Sequence, residues 1–182
     1  MKKDFFVNYE NLEAGLFVFT RSTDVVGRVI QAARKILKNK GAPTHVGIIT
    51  EDHGQLFITE QTLRGLEERS LERYTKKSNR IVAVMKYTKG TPRKINQAQR
   101  YLAEIRRRAL ENSKYDFVGL LSFVFPFVKP DKNRQWCSEN CASILKMMGA
   151  AWIDKVEIAP DELLKKMVDS GECELRLAFY RP

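Results

Sequence analysis

The sequence predicts an α+β domain in which an antiparallel sheet packs against helices. Three observations carry that reading. Short runs rich in aromatic and β-branched residues recur at 15–20, 45–50, 55–60, 80–87 and 174–180, each of strand length. Between them lie segments whose apolar residues repeat at three- and four-residue steps, as on a helix with one buried face. Two of the strands are separated only by Glu51-Asp52-His53-Gly54, a turn sequence that folds them into an antiparallel hairpin. The expected total is about five strands and four or five helices.

The elements follow in order. Residues 15–20 (Gly-Leu-Phe-Val-Phe-Thr) form a buried strand. Ser22, Thr23 and Asp24 offer helix caps, and Val25, Val26, Val29, Ile30, Ala33 and Leu37 follow at helical spacing. Gly41 and Pro43 end that helix. His45-Val46-Gly47-Ile48-Ile49-Thr50 and Gln55-Leu56-Phe57-Ile58-Thr59-Glu60 are the hairpin strands. With Thr50 opposite Gln55, His45 falls directly opposite Glu60, with Cβ atoms about 4.5–5.5 Å apart. A two-residue slip keeps both on one face and makes them diagonal neighbours. His53 belongs at the exposed loop tip.

Residues 63–74 are polar and mixed, and read as a surface connection. Residues 80–87 are continuously apolar and read as a central strand. Thr91-Pro92 opens a helix whose buried stripe is Ile95, Ala98, Leu102, Ile105 and Ala109. The apolar run at 117–128 is interrupted by Pro126 and falls short of the roughly 20 residues a bilayer span needs. It reads as a buried helix, with a lipid-facing wall as the alternative. A helix then starts at Cys137, with Ala142, Leu145 and Met148 on its apolar face, and stops at Gly149. Pro160 opens a further short helix before the last strand.

Length and composition bound the function. A chain of 182 residues with a 43% hydrophobic fraction is expected to be a single domain, 1–182. The first nine residues lack the apolar stretch of a signal peptide, and the three cysteines are an odd number. Both point to a reducing compartment, cytoplasmic as synthesised, without a disulfide framework. A net charge of +10 suits an anionic partner such as a membrane surface or a cell-wall polymer. The positive charge is scattered, with no aromatic-interleaved basic stripe, so nucleic acid is not the expected partner.

The chemistry gathers on Cys137. The first turn of a helix offers unpaired N–H groups and a positive dipole end, which favour thiolate over thiol. A nucleophilic cysteine also needs a base within reach and a group that orients the base. His45 is the candidate base. Glu60, its hairpin neighbour, is the candidate orienting carboxylate. A small buried cysteine and a structural His–Glu pair are the plain alternatives for the same residues. Cys141 and Cys173 are most simply structural. A zinc site made of His45, His53, Cys137 and Cys141 is disfavoured, because Cys-x3-Cys on a helix is not a recurrent zinc spacing.

Several short stretches, in order along most of the chain, resemble the permuted NlpC-type papain-like family, specifically its YiiX-like group of cysteine peptidases and amidases. They are residues 13–19, Thr44-His45-Val46-Gly47-Ile48-Ile49, Ile58-Thr59-Glu60 with the later Gly65, Tyr115-Asp116, Trp136-Cys137-Ser138-Glu139, and residues 159–163. Leu16, where an Asp is common, and Asn140, where an apolar residue is usual, depart from the pattern. The resemblance implies a circularly permuted papain-like fold in which the His-bearing sheet precedes the Cys-bearing helix. It implies Cys137 as nucleophile, His45 as base, Glu60 as its orienting residue and Tyr115 near the oxyanion or substrate. It implies acyl transfer on a peptide or amide, with cell-wall peptides as the leading substrate and no metal or organic cofactor. The lipid-acting, lecithin retinol acyltransferase-like branch is the alternative substrate class, and a non-catalytic binding domain is the alternative to an enzyme.

Overall fold

The computed structural model describes residues 12–22, 42–62, 65–74, 79–91, 137–178 and eight helical positions between 93 and 104. Six strands form one sheet: β1 (Phe17–Ser22), β2 (His45–Asp52), β3 (Gln55–Thr62), β4 (Gly65–Ser70), β5 (Asn79–Tyr87) and β6 (Cys173–Ala178). Their spatial order is β4-β3-β2-β1-β5-β6, and every pairing is antiparallel. Two helices, α1 (Cys137–Met148) and α2 (Pro160–Asp169), a 3-10 turn at Leu71–Tyr74 and the helical positions between 93 and 104 complete the described elements. None of the described helices is long and apolar enough to cross a membrane.

The central strands β1, β2 and β5 carry apolar residues on both sides because the middle of the sheet is buried on both faces. Phe17, Phe19, Val46 and Ile48 pack with Cys141, Ala142, Ile144 and Leu145 of α1 and Leu163 and Met167 of α2. Leu16, Val18, Ile49, Ile58, Ile81 and Val84 form a second cluster with Leu71 and Tyr74 of the 3-10 turn. Phe17, Phe19 and Ile49 are fully buried. Each such side chain contributes about 1.5–3 kcal/mol relative to exposure.

Sequence signals also set the helix ends. Gly149 takes φ 102°, its N–H donates to the Lys146 carbonyl, and the Ala150 N–H donates to the Leu145 carbonyl. This is a Schellman closure of α1. The Lys94 side chain lies against Gly149, placing a cation at the negative end of the helix dipole. Pro160 occupies the first turn of α2, preceded by an extended Ala159.

The structure corrects the sequence reading at two places. The polar stretch taken as a surface connection contains β4, which pairs with β3 along its whole length from Phe57↔Ser70 to Thr62↔Gly65. Its residues, Gly-Leu-Glu-Glu-Arg-Ser, carry one apolar side chain, so no strand pattern shows. The hairpin register also differs by two residues: Asp52, not Thr50, pairs with Gln55. The turn is the two-residue His53-Gly54, with φ values of 48° and 78°. Positive φ at both positions matches the right-handed twist of the strands, the reason tight hairpins use this turn. The expected helix over 23–37, the run at 117–128 and Tyr115 lie outside the described residues.

Continuing that ladder places Gly47 across from Glu60 and makes His45 and Glu60 diagonal neighbours on the same side of the pair. A Cβ on Gly47 would stand 2.6 Å from Ile58 Cγ2 and 3.2 Å from Glu60 Cβ. Gly47→Ala is therefore expected to destabilise the protein by about 1–3 kcal/mol through overpacking. Denaturant unfolding of the two proteins tests this; an unchanged midpoint means the sheet gives way freely at that point.

Candidate active site

Three residues far apart in sequence meet where β2 and α1 both begin. His45 is the first residue of β2, Cys137 the first of α1, and Glu60 lies on β3. The Glu60 Oε2 and His45 Nε2 are 2.6 Å apart. Cys137 stands close enough to the same ring for each group to shift the other's protonation. With Nε2 held by the carboxylate, Nδ1 is the ring nitrogen not engaged by Glu60. Cys137 retains 6% of its exposure, and the His45 side chain retains 18%.

The site is anchored from several directions. Thr44 N–H donates to the Thr20 carbonyl, fixing the backbone just before His45. Ser138, fully buried beside the nucleophile position, donates its hydroxyl to the Ile158 carbonyl and ties α1 to the segment leading into α2. Cys141 lies one turn below, at the centre of the core.

Electrostatics separates the cysteines. Burial pushes the Cys137 thiol up. The His45 imidazolium, its hydrogen bond to the sulfur and the backbone N–H of Val46 outweigh that, with Glu60 working against them, and the thiol ends below its ordinary range. Burial alone would lower His45, but the Cys137 thiolate and the Glu60 carboxylate raise it well above its ordinary value. Cys141 moves the other way: burial pushes it well up, and the neighbouring thiolate adds to this. Burial likewise pushes Cys173 up to about 11. Of the three cysteines, Cys137 alone has its thiol drawn down toward the thiolate, while Cys141 and Cys173 are pushed the other way.

Glu60 is the most enclosed charge of the group, with 3% side-chain exposure. Burial pushes its carboxyl up, but His45, then Tyr74 and Arg69, hold it below the ordinary range. Arg69 Nη1 lies 2.9 Å from Glu60 Oε1. Tyr74 is buried near Glu60, and among the described residues its hydroxyl makes no well-formed hydrogen bond, so its hold on the carboxylate is the weaker one beside that of His45. Sequence reasoning missed Arg69, Tyr74 and the Val46 N–H. The first two sit on elements whose polar sequences resemble a loop, and a backbone donor leaves no mark in a sequence.

The other candidate residues do not join the site. His53 is at the hairpin tip with its side chain 93% exposed, 2.8 Å from Asp52 Oδ1. At about 3.4 Å per strand residue, the length of β2 separates it from His45. Among the described residues, no group of three or more His, Cys, Asp or Glu side chains is arranged to hold a metal ion. His45, His53, Cys137 and Cys141 therefore do not converge as zinc ligands.

No family model matches the chain. No curated protein matches it either. Among solved structures, the chain is similar to the metalloprotein YiiX from Escherichia coli O157:H7, with a TM-score of 0.57 and 13% sequence identity. The match covers 93% of this chain and 98% of that one. At that identity the likeness speaks for the fold alone: this chain has a YiiX-like α+β arrangement built on a six-stranded antiparallel sheet.

Proposed function

We propose that the chain is a cysteine hydrolase of the permuted papain-like type, acting by acyl transfer through Cys137, His45 and Glu60. The observation that supports this most is the shared imidazole: one ring nitrogen is 2.6 Å from a buried carboxylate, and the same ring draws down the thiol of a cysteine at a helix start. The Cys137 thiolate attacks an amide or ester carbonyl and forms a carbon–sulfur bond. The oxyanion is met by backbone N–H groups at the start of α1. His45 gives its Nδ1 proton to the leaving amine or alcohol as that bond breaks. A water then loses a proton to His45 and attacks the thioester, releasing the acid and restoring the ion pair. The resemblance in sequence assigns Tyr115 to the oxyanion or substrate.

Peptide amides, in particular those of cell-wall peptides, are the substrate class in this reading, and the +10 charge suits an anionic polymer. The structural neighbour is described as a metalloprotein. The described residues of this chain do not fit a resident metal at the site. Glu60 occupies one ring nitrogen, which leaves a thiolate and one imidazole nitrogen, fewer than the three protein ligands of a catalytic zinc.

The test is the rate of iodoacetamide alkylation at each cysteine between about pH 4 and 9, in the protein and in His45→Ala. Cys137 and Glu60 are depressed, so thiolate and carboxylate persist on the acid side until pH falls through their lowered values. His45 is raised, so its cation persists until pH rises through its raised value. The ion pair therefore fills the window between, and Cys137 alone should alkylate fast from mildly acid pH upward. In His45→Ala that reactivity should retreat toward an ordinary thiol profile near pH 8.5. An ordinary profile in the unmodified protein rejects the poised pair. Panels of wall peptides, lipid esters and metal-supplemented assays then separate the substrate classes.

A further inference from the structure

The charge cluster behind the proposed triad extends further than the triad needs. Glu60 and Glu67 are directly paired across β3 and β4, and Ile58 and Arg69 form the next pair on the same face. Two carboxylates directly opposite each other repel. Arg69 resolves this by forking. Its Nη1 lies 2.9 Å from Glu60 Oε1, and its Nη2 pairs with Glu67 Oε2. The arginine side chain retains 21% exposure, so one arm of the fork reaches into the sheet and the other stays near solvent.

Resting on the proposed hydrolase reading, we infer that Arg69 is a positioning residue. Its guanidinium keeps Glu60 ionised and aimed at His45 while absorbing the opposed charge of Glu67, so that Cys137 rests as a thiolate. The groups facing Glu60 are His45 from β2, Glu67 and Arg69 from β4, and Tyr74 from the 3-10 turn. Cys137 of α1 acts on it through the imidazole. Of these, only His45 and Arg69 are cationic, and His45 holds its charge against burial only with the help of the Cys137 thiolate and the Glu60 anion. Arg69 is charged at every relevant pH. Without it, a buried carboxylate facing Glu67 takes up a proton far more readily. Protonated Glu60 would donate to His45 Nε2, the remaining ring proton would sit on Nδ1, and the ring would be neutral. A neutral ring facing sulfur leaves a thiol.

The experiment reads the acid limb of Cys137 alkylation by iodoacetamide, the pH below which fast reaction is lost. Arg69→Gln should move that limb up by about one pH unit, a loss of rate that is roughly tenfold below the original limb. Arg69→Gln with Glu67→Gln should move it back toward the parent, because the opposed carboxylate is gone. Arg69→Lys should recover at least half of the shift. A parent-like limb in Arg69→Gln overturns the inference, as does a Lys variant no better than Gln. If Arg69→Gln yields no folded protein, Arg69→Lys is compared with Arg69→Lys/Glu67→Gln. A lysine serves one carboxylate well, so removing Glu67 must lower the limb, and no change overturns the inference. The parent and His45→Ala profiles keep the two readings apart. A parent without low-pH reactivity fails the hydrolase reading. A parent that has it, loses it in His45→Ala and keeps it in Arg69→Gln fails only the role of Arg69.

Discussion

Cys137→Ala is expected to lower hydrolysis of a competent amide or ester by about 10⁴-fold or more while leaving a folded protein. No other group among the described residues at the site can form the acyl intermediate. Cys141 is held as a thiol in the core, one turn away. The side chain lost is small, so unfolding should shift by no more than about 1–2 kcal/mol. Cys137→Ser keeps the shape but replaces a thiol by a hydroxyl that His45 must deprotonate during attack, and it should be nearly as inactive. A second readout needs no substrate. Cys137 is the leading influence holding His45 up against burial. Removing the thiolate should lower the His45 pKa, visible by NMR titration in a chain with two histidines. Unchanged function together with an unchanged His45 titration would establish Cys137 as packing and favour a binding module.

The parts of this site that were legible in the sequence are those that carry their own local signature. Cys137 precedes a run at helical spacing, so its place on the first turn of α1 followed from pattern alone. His45 and Glu60 flank a hairpin, and their closeness survived an error in register. The slip was two residues, and side-chain direction in a strand has period two, so both stayed on one side while becoming diagonal. All four residues from Glu51 to Gly54 have turn composition, although Glu51 and Asp52 belong to β2. The His53-Gly54 turn needs only two, with His53 accepting a positive φ that β-branched residues resist.

What was illegible depends on pairing rather than on composition. β4 is an edge strand whose partners lie on β3, and its Glu67 and Arg69 look like a solvated loop until Glu60 is placed beside them. Gly47 reads as an ordinary strand residue. Its meaning lies in the 2.6 Å that a Cβ would leave to Ile58, a neighbour eleven positions away. The Val46 N–H helps Cys137 only because β2 and α1 begin at the same corner. Such facts are properties of tertiary contact, and single-sequence periodicity carries none of them.

Glu60→Ala should be the most damaging single change to stability among the site residues, costing about 3–5 kcal/mol. It deletes a carboxylate with 3% exposure and leaves His45 and Arg69, a cation in one case and a potential cation in the other, facing a void. His45 would respond by losing its proton, and with it the thiolate would go. Activity and fold should therefore fail together. Glu60→Gln separates the two effects. The amide keeps the shape, accepts a hydrogen bond from His45 Nε2 through its oxygen, and gives up only the charge. Stability should fall less, while turnover should drop by about 10²–10⁴-fold because no carboxylate balances the imidazolium once the Cys137 sulfur attacks and gives up its charge. The pH dependence supplies the sign. The Glu60 contribution is present above the ordinary carboxylate range and is lost as pH falls through the lowered value. The Gln variant should lose most of its disadvantage at low pH, where the parent carboxylate is itself protonated. Unfolding curves taken from about pH 7 downward through the acid range check this. A Gln variant as active and as stable as the parent at pH 7 would leave the carboxylate without a role in either the fold or the chemistry.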